Sequence, residues 1–183
     1  METAKFLAAE GWNLALARRD TEKARVVGEE ISAAAPAVTV ETLHLDLASL
    51  DSIRSFAAEL SRGRERLDLL VNNAGVFCDT RRRTTDGFEM TIGVNFLGTL
   101  ALTRLLVPLL VRAGRAAGGK GARVVNVASA AAAYGRLRPG GGLFTEGPHG
   151  FRGYAASKLA IVLFTLDLAE ELADTGVTSW RRS

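Results

Sequence analysis

The sequence contains little cysteine, proline or histidine: one cysteine, Cys78, four prolines and two histidines among 183 residues. One cysteine cannot form an internal disulfide or a cysteine-based metal cluster, which favours a reducing compartment such as the cytoplasm. The two histidines, His44 and His149, are far apart in the sequence and belong to no ligand cluster. We therefore expect no metal site and ordinary packing or surface roles for both histidines.

Long apolar runs are also lacking. The longest, Leu105 to Val111, is interrupted by Pro108 and is much shorter than the roughly 20 residues that span a bilayer. The N-terminal residues include Glu2 where a secretory signal would have a basic region. The sequence predicts neither a membrane span nor an export signal.

Charge and composition limit the remaining classes. The net charge of +3 comes from scattered arginines, with one cluster at Arg81, Arg82 and Arg83. Aromatic residues do not alternate with these arginines, so we expect no nucleic-acid binding. Hydrophobic residues make up 48% and charged residues 23% of the chain, which is typical of a soluble globular domain. The length allows one domain of ordinary size.

Apolar runs alternate with helical stretches along the chain. Strands are predicted over residues 12–17, 38–43, 67–71 and 123–127, and helices over residues 2–10, 21–35, 88–113 and 154–173, with a further helix after Ser49. Continuous apolar strands separated by helices indicate a parallel sheet that is covered on both faces. The sequence therefore predicts a doubly wound, Rossmann-like α/β fold, in which ligands bind beyond the carboxyl ends of the strands.

Two residues of the last predicted helix are candidates for proton transfer. Tyr154 and Lys158 are four positions apart, so their side chains share one helix face. An ammonium about 4 Å from a phenolate stabilises it by about 4 kcal/mol at an effective dielectric constant near 20, which would let a tyrosine act as a general acid or base. On most helices this pair is only a surface pair.

Two further polar residues are predicted to face the same crevice. Ser129 ends the preceding strand, and Asn95 belongs to the preceding long helix. Taken alone, Ser129 fits a helix cap or a loop hydroxyl, and Asn95 fits a buried amide bonded to the backbone. Their order relative to Tyr154 and Lys158 favours a common site.

Together these stretches resemble the short-chain dehydrogenase/reductase family, and within it the retinol dehydrogenase-like branch. The resemblance covers residues 2 to about 174, and the long interval between Ser129 and Tyr154 resembles the substrate loop of that branch. Ile161 departs from an asparagine expected there. The matching stretches are Leu16-Ala17-Arg18-Arg19-Asp20, Leu45-Asp46-Leu47-Ala48-Ser49-Leu50, Val71-Asn72-Asn73-Ala74-Gly75, Val94-Asn95-Phe96-Leu97-Gly98, Arg123-Val124-Val125-Asn126-Val127-Ala128-Ser129 and Tyr154-Ala155-Ala156-Ser157-Lys158-Leu159-Ala160.

The resemblance implies a nicotinamide-dependent oxidoreductase that interconverts an alcohol and a carbonyl. It implies that Tyr154 transfers the proton, Lys158 assists Tyr154 and holds the nicotinamide ribose, Ser129 bonds the substrate oxygen, and Asn95 positions a water. The implied cofactor-binding residues are Arg19, Asp46, Leu47, Asn73, Ala74, Gly75, Tyr154 and Lys158.

The nature of the cofactor and the substrate is predicted from a few side chains. A guanidinium at Arg19 suits a 2′-phosphate, which favours NADP over NAD, although Arg18 and Arg19 also fit two solvated arginines at a helix start. Three apolar residues precede Tyr154 in the predicted loop: Leu143, Phe144 and Phe151. They suggest an apolar wall for a retinoid, steroid or lipid aldehyde.

The sequence departs from the family at both ends. Family members begin with a strand and a glycine-rich turn that binds the pyrophosphate, whereas this chain opens on the helix that follows. The omitted strand would lie between the strands at 12–17 and 67–71 and would leave unpaired edges. Residues 179–183 depart from the expected strand, so we expect the C-terminal strands to be lacking too.

The expected molecule is therefore a single incomplete, truncated domain over residues 1–183, with impaired cofactor binding. The alternative is a non-catalytic fragment or splice product that acts only through homodimerisation by the helices at 88–113 and 154–173.

Overall fold

The computed structural model describes residues 2–116, 121–137 and 148–182. Contacts within the chain divide it into two units, Met1–Asp46 and Leu47–Ser183. The described strands form two parallel sheets, one of two strands and one of three. The prediction of one incomplete domain over residues 1–183 stays a prediction.

The first unit is a parallel strand pair with two helices. Its elements are α1 (Glu2–Ala9), β1 (Leu14–Arg18), α2 (Thr21–Ala34) and β2 (Val40–His44). The strands pair in register from Leu14 with Val40 to Arg18 with His44. The carboxylate of Asp20 caps α2 by accepting the backbone N–H of Lys23 at 3.1 Å, which supplies a partner for a donor that the first helical turn leaves free.

The second unit contains a three-stranded parallel sheet in the order β3–β4–β5. Its strands pair in register from Leu69 with Arg123 and from Ala122 with Val177. Its elements are α3 (Leu50–Arg62), β3 (Leu69–Asn72), α4 (Met90–Ile92), a π-helical segment (Gly93–Gly98), α5 (Thr99–Arg115), β4 (Ala122–Val127), a 3-10 helix (Ala130–Tyr134), α6 (Gly150–Glu171), a 3-10 turn (Ala173–Thr175) and β5 (Val177–Arg182).

Apolar side chains of α5, β4 and α6 form the core of the second unit. Leu110 on α5, Val124 on β4 and Leu168 on α6 are fully buried in one cluster. Removal of such side chains from water is the main favourable contribution to folding. The cluster holds α5 and α6 against the sheet. Tyr154 and Lys158 lie on α6, and α5 continues the π-helical segment that contains Asn95.

The predicted α/β fold with parallel strands alternating with helices is confirmed. One expectation at the C-terminus is wrong, because residues 179–182 continue a strand instead of departing from it. Ser179 pairs with Val124, and the register continues to Arg182 opposite Val127. Backbone amides and carbonyls make these pairs, so the strand forms there although its residues depart from those expected in the family.

The long helical stretch Met90–Arg115 bears on the predicted absence of a membrane span. Among the described residues it is long and apolar enough to cross a membrane, with a mean hydropathy of 1.8. Half of its most apolar window is buried within the protein, as is typical of a core helix. The sequence predicted this helix over residues 88–113, and the helix continues through Pro108.

Candidate active site

Tyr154 and Lys158 lie on successive turns of α6. Lys158 is 5% exposed, and its Nζ lies 5.7 Å from the centroid of the Tyr154 ring. The ammonium donates a hydrogen bond to the backbone carbonyl of Val127, the last residue of β4, at 2.8 Å. Burial lowers the pKa of Lys158 from its ordinary value, because a low-dielectric environment disfavours the charged form.

Ser129 begins the 3-10 helix that follows β4. Its Oγ accepts a hydrogen bond from the backbone N–H of Ala131 at 3.2 Å. Ser129 therefore caps this helix, as one of the two predicted alternatives for it states. A hydroxyl that accepts through oxygen still has a hydrogen to donate. The segment ends at Gly135, where a Cβ would lie 2.6 Å from the Ala155 carbonyl oxygen. Only glycine allows this approach to the α6 turn next to Tyr154.

Asn95 lies in the π-helical segment and is 2% exposed. Its Oδ1 accepts the backbone N–H of Val76 at 2.7 Å, and its Nδ2 donates to the Val76 carbonyl at 2.9 Å. Asn95 is therefore a buried amide that bonds the backbone, as one of its two predicted alternatives states. One extra residue per turn marks a π-helix, and such turns are frequent at functional sites.

The segment Asn73–Gly75 follows β3 and is exposed. A Cβ built on Gly75 would lie 3.4 Å from Asn95 Oδ1 and 3.6 Å from Lys158 Nζ. A methyl group at position 75 would therefore touch both side chains, so Gly75 lies next to Asn95 and Lys158. The structure brings Asn95, Gly75, Lys158 and Tyr154 together in the second unit.

The other predicted cofactor-binding residues lie elsewhere along the chain. Arg19 is exposed directly after β1, and Asp46 is half-buried after β2, both in the first unit. Leu47 begins the second unit, where its backbone packs against Gly98. Of the three predicted wall residues, Phe151 is on α6, and Leu143 and Phe144 lie outside the described residues.

Two pairs of aromatic rings lie in this part of the chain, and Tyr154 belongs to one of them. The Phe77 ring lies 5.8 Å from the Tyr154 ring in an edge-to-face arrangement, and the Tyr134 and Phe151 rings are 6.0 Å apart. Phe77 is 57%, Tyr134 73% and Phe151 54% exposed. Sequence reasoning found Phe151 and missed the other two rings, because Phe77 follows β3 and Tyr134 ends the 3-10 helix after β4.

Sequence reasoning also missed a buried chain of polar side chains behind the site. Asn72 Nδ2 donates to Asn126 Oδ1 at 2.8 Å and to Thr103 Oγ1 at 2.9 Å, and Asn126 Nδ2 donates to Thr165 Oγ1 at 3.0 Å. The available signal was an asparagine within each of two otherwise apolar strands. We name these four residues the asparagine chain.

Parallel strands that alternate with helices place the protein in the class of Rossmann-like α/β proteins, and a buried lysine lies beside a tyrosine near the end of β4. The chain belongs to the short chain dehydrogenase family, whose model matches residues 1–179. The predicted family is confirmed.

Individual relatives agree with this assignment. Retinol dehydrogenase 13 of Homo sapiens is 40% identical over 178 residues, which cover 97% of this chain and 52% of that protein. Polyprenol dehydrogenase of Mus musculus is 42% identical over 177 residues, which cover 95% of this chain and 51% of that protein. The chain thus spans about half the length of the curated relatives it matches, and the predicted likeness to the retinol dehydrogenase-like branch is confirmed.

A solved structure shows the same relationship. A metagenomic short-chain oxidoreductase in complex with NADP has a TM-score of 0.73 and 29% sequence identity, covering 95% of this chain and 71% of that chain.

Proposed function

We propose that this protein is an NADP-dependent oxidoreductase that interconverts an alcohol and a carbonyl on an apolar substrate. The observation that supports this most directly is the buried Lys158 amine 5.7 Å from the Tyr154 ring. A second support is membership of the short chain dehydrogenase family. Each residue role below is part of the proposal.

Tyr154 is the proton-transferring residue in this proposal. Its hydroxyl gives a proton to the carbonyl oxygen in reduction and takes one from the alcohol in oxidation. The Lys158 ammonium stabilises the phenolate that remains, because opposite charges attract more strongly where solvent is excluded.

Ser129 and Asn95 complete the proposed catalytic group. The Ser129 oxygen accepts the Ala131 N–H, so its hydrogen can donate to the substrate oxygen and align it with Tyr154. The Asn95 amide is directed by Val76, and in the proposal it helps to position a water next to Lys158.

The residues of the second unit fit the ribose end of a nicotinamide dinucleotide. The Lys158 ammonium has three N–H donors, and one of them bonds Val127, which leaves donors for ribose hydroxyls. The side chain that Gly75 lacks would fill the space next to Asn95 and Lys158. The bound cofactor supplies or accepts the hydride. Asn73, Ala74 and Gly75 would line a ribose, and Asp46 and Leu47 the adenine side.

NADP is proposed over NAD because of Arg19. Arg19 is exposed directly after β1, where a guanidinium can bind a 2′-phosphate through paired hydrogen bonds. The solved metagenomic oxidoreductase is an NADP complex, which supports the same choice.

An apolar substrate is proposed from the aromatic rings around Tyr154. Exposed rings of Phe77, Tyr134 and Phe151 present apolar area, which favours a long or conjugated hydrocarbon over a sugar. The named relatives are retinol and polyprenol dehydrogenases. The cytoplasm stays the predicted location, in keeping with the buried free thiol of Cys78.

NADPH oxidation with retinaldehyde and with a medium-chain aldehyde tests the proposal. The assay uses millimolar NADPH, so that a weak cofactor affinity does not mask turnover. Tyr154→Phe should lower kcat by at least about 100-fold, because the ring stays packed on Phe77 and only the hydroxyl is lost. An unchanged melting temperature controls for folding, and turnover that survives in Tyr154→Phe would reject the proposal.

A second candidate function, homodimerisation without turnover, is favoured by three exposed leucines. Leu105 on α5 and Leu163 and Leu166 on α6 are 44%, 48% and 58% exposed. Apolar side chains on neighbouring surface positions are typical of helix-mediated association. Sedimentation of the wild type and of Leu163→Glu/Leu166→Glu tests this candidate: a dimer that the double substitution dissociates supports it, and a wild-type monomer rejects it.

A further inference from the structure

A hydroxyl that the proposed reaction does not use connects the residues of the candidate site. Ser157 lies on α6 between Tyr154 and Lys158 and is 0% exposed. Its Oγ donates a hydrogen bond to the Tyr154 carbonyl at 2.7 Å. A serine bonded to a carbonyl of the preceding helical turn is common, so this bond alone would indicate only a satisfied buried hydroxyl.

The same oxygen accepts a hydrogen bond from Asn95 Nδ2 at 3.0 Å. Asn95 lies in the π-helical segment, and its amide also bonds both the N–H and the carbonyl of Val76. A reversed amide would place N–H groups against the Val76 N–H and an oxygen against the Val76 carbonyl. With Ser157 accepting from Nδ2, one orientation of the Asn95 amide is therefore strongly favoured.

The Asn95 amide holds the loop that follows β3, through its two bonds to Val76. Val76 follows Gly75, and a Cβ built on Gly75 would lie 3.4 Å from Asn95 Oδ1 and 3.6 Å from Lys158 Nζ. The two Val76 bonds therefore hold the Gly75 backbone close to the Lys158 amine. Loss of the Ser157 acceptor would leave one buried N–H of Asn95 without this partner, and only the two Val76 bonds would then orient the amide, which would be held less rigidly.

We propose that Ser157 is a positioning residue: its hydroxyl orients the Asn95 amide, which in turn holds the Gly75–Val76 backbone against Lys158. The structural part of this inference stands on the hydrogen bonds alone. Its catalytic consequence rests on the proposed function. Ser157 itself contacts neither the substrate nor the reacting atoms in the proposal.

Amide hydrogen exchange at Val76 tests the structural part without any need for turnover. Thr165 offers a matched control on the same helix, because its Oγ1 donates to the Ile161 carbonyl at 2.7 Å and accepts from an asparagine, Asn126, at 3.0 Å. We expect the Val76 N–H to exchange about tenfold faster in Ser157→Ala than in the wild type, and at the wild-type rate, corrected for global stability, in Thr165→Ala. Equal effects of the two variants, or no effect of Ser157→Ala, would overturn the proposal.

Steady-state kinetics test the catalytic consequence. Ser157→Ala should lower kcat about tenfold and change the KM for the aldehyde less than about twofold, because substrate contacts are retained and only alignment is lost. Ser157→Cys replaces the hydroxyl by a thiol, which is a weaker donor and acceptor. Its kcat should lie between those of the wild type and Ser157→Ala. Wild-type kcat in Ser157→Ala would contradict the inference. If the wild type shows no turnover, the proposed function fails, and Val76 exchange alone decides the role of Ser157.

Discussion

At the scale of single residues, Lys158 combines burial with a hydrogen bond to a backbone carbonyl. Its amine is 5% exposed and donates to Val127 at 2.8 Å. Burial disfavours the charged form, so the pKa of Lys158 is lowered from 10.5 in the folded chain. An amine with a lowered pKa next to a tyrosine is more typical of a functional site than of a structural lysine.

The pH dependence of stability should reveal this burial. The unfolded chain keeps the Lys158 proton up to its ordinary pKa of 10.5, whereas the folded chain releases it at lower pH. The free energy of unfolding therefore rises with pH between the folded and the unfolded pKa of Lys158. Below both pKa values, the buried charge destabilises the folded chain by its full amount. We expect the wild type to gain urea unfolding free energy relative to Lys158→Met as the pH rises toward 10.5.

Lys23→Met provides the control for this titration, because Lys23 lies on α2 with a largely exposed side chain. A difference for Lys158→Met that is constant over the same pH range would show that the Lys158 amine is not buried in solution.

At the scale of elements, the asparagine chain joins two strands and two helices. Asn72 on β3 and Asn126 on β4 bond each other across the sheet, and Thr103 on α5 and Thr165 on α6 bond one asparagine each. Asn126, Thr103 and Thr165 are buried. Buried polar groups that are all paired favour one arrangement of the elements, since any displacement leaves a donor or acceptor unpaired.

Asn126→Leu should therefore destabilise the fold. The variant removes the acceptor for Asn72 and the donor to Thr165, and we expect a loss of about 2 kcal/mol in the free energy of urea unfolding. Arg123→Ala, at an exposed position of the same strand, should change it by less than about 0.5 kcal/mol. A similar loss in both variants would mean that the asparagine chain contributes no specific stability.

At the scale of the whole molecule, the two units differ in the size of their cores. The buried apolar residues of the first unit are Ala8, Ala24, Ile31, Leu43 and Leu45, whereas the second unit has an extended cluster from α5, α6 and its sheet. Because stabilisation scales with the apolar area removed from water, and a two-stranded sheet is marginal by itself, the first unit should be the less stable one.

Hydrogen exchange over the whole chain checks this expectation. Amides in β1 and β2 should exchange at least about tenfold faster than amides in β3 and β4, because local opening of a small core costs less free energy than opening of a larger one. Uniform protection of all described strands would instead indicate that the chain unfolds as one cooperative unit.

The elements were largely predictable because their signals are local. Periodic apolar residues indicated α6 and β4, and Ser49 was recognised as the cap of α3, where its Oγ accepts the Ser52 N–H at 3.2 Å. The start of α6 was placed four residues late, at Tyr154 instead of Gly150, since the first turn of the helix has little apolar periodicity. The continuation of β5 through Ser179 was missed because pairing with β4 depends on backbone groups.

The sequence alone determined the family, the alternation of strands and helices, and the placing of Tyr154 and Lys158 one helical turn apart, because each of these depends on residues close together in the chain. Only the tertiary structure decided that Asn95 bonds Val76 and Ser157, that Lys158 bonds Val127, and that Phe77 lies against Tyr154. Those contacts join residues from different elements. Hydrogen-bond direction and burial are set by how the elements pack, which local residue patterns do not specify.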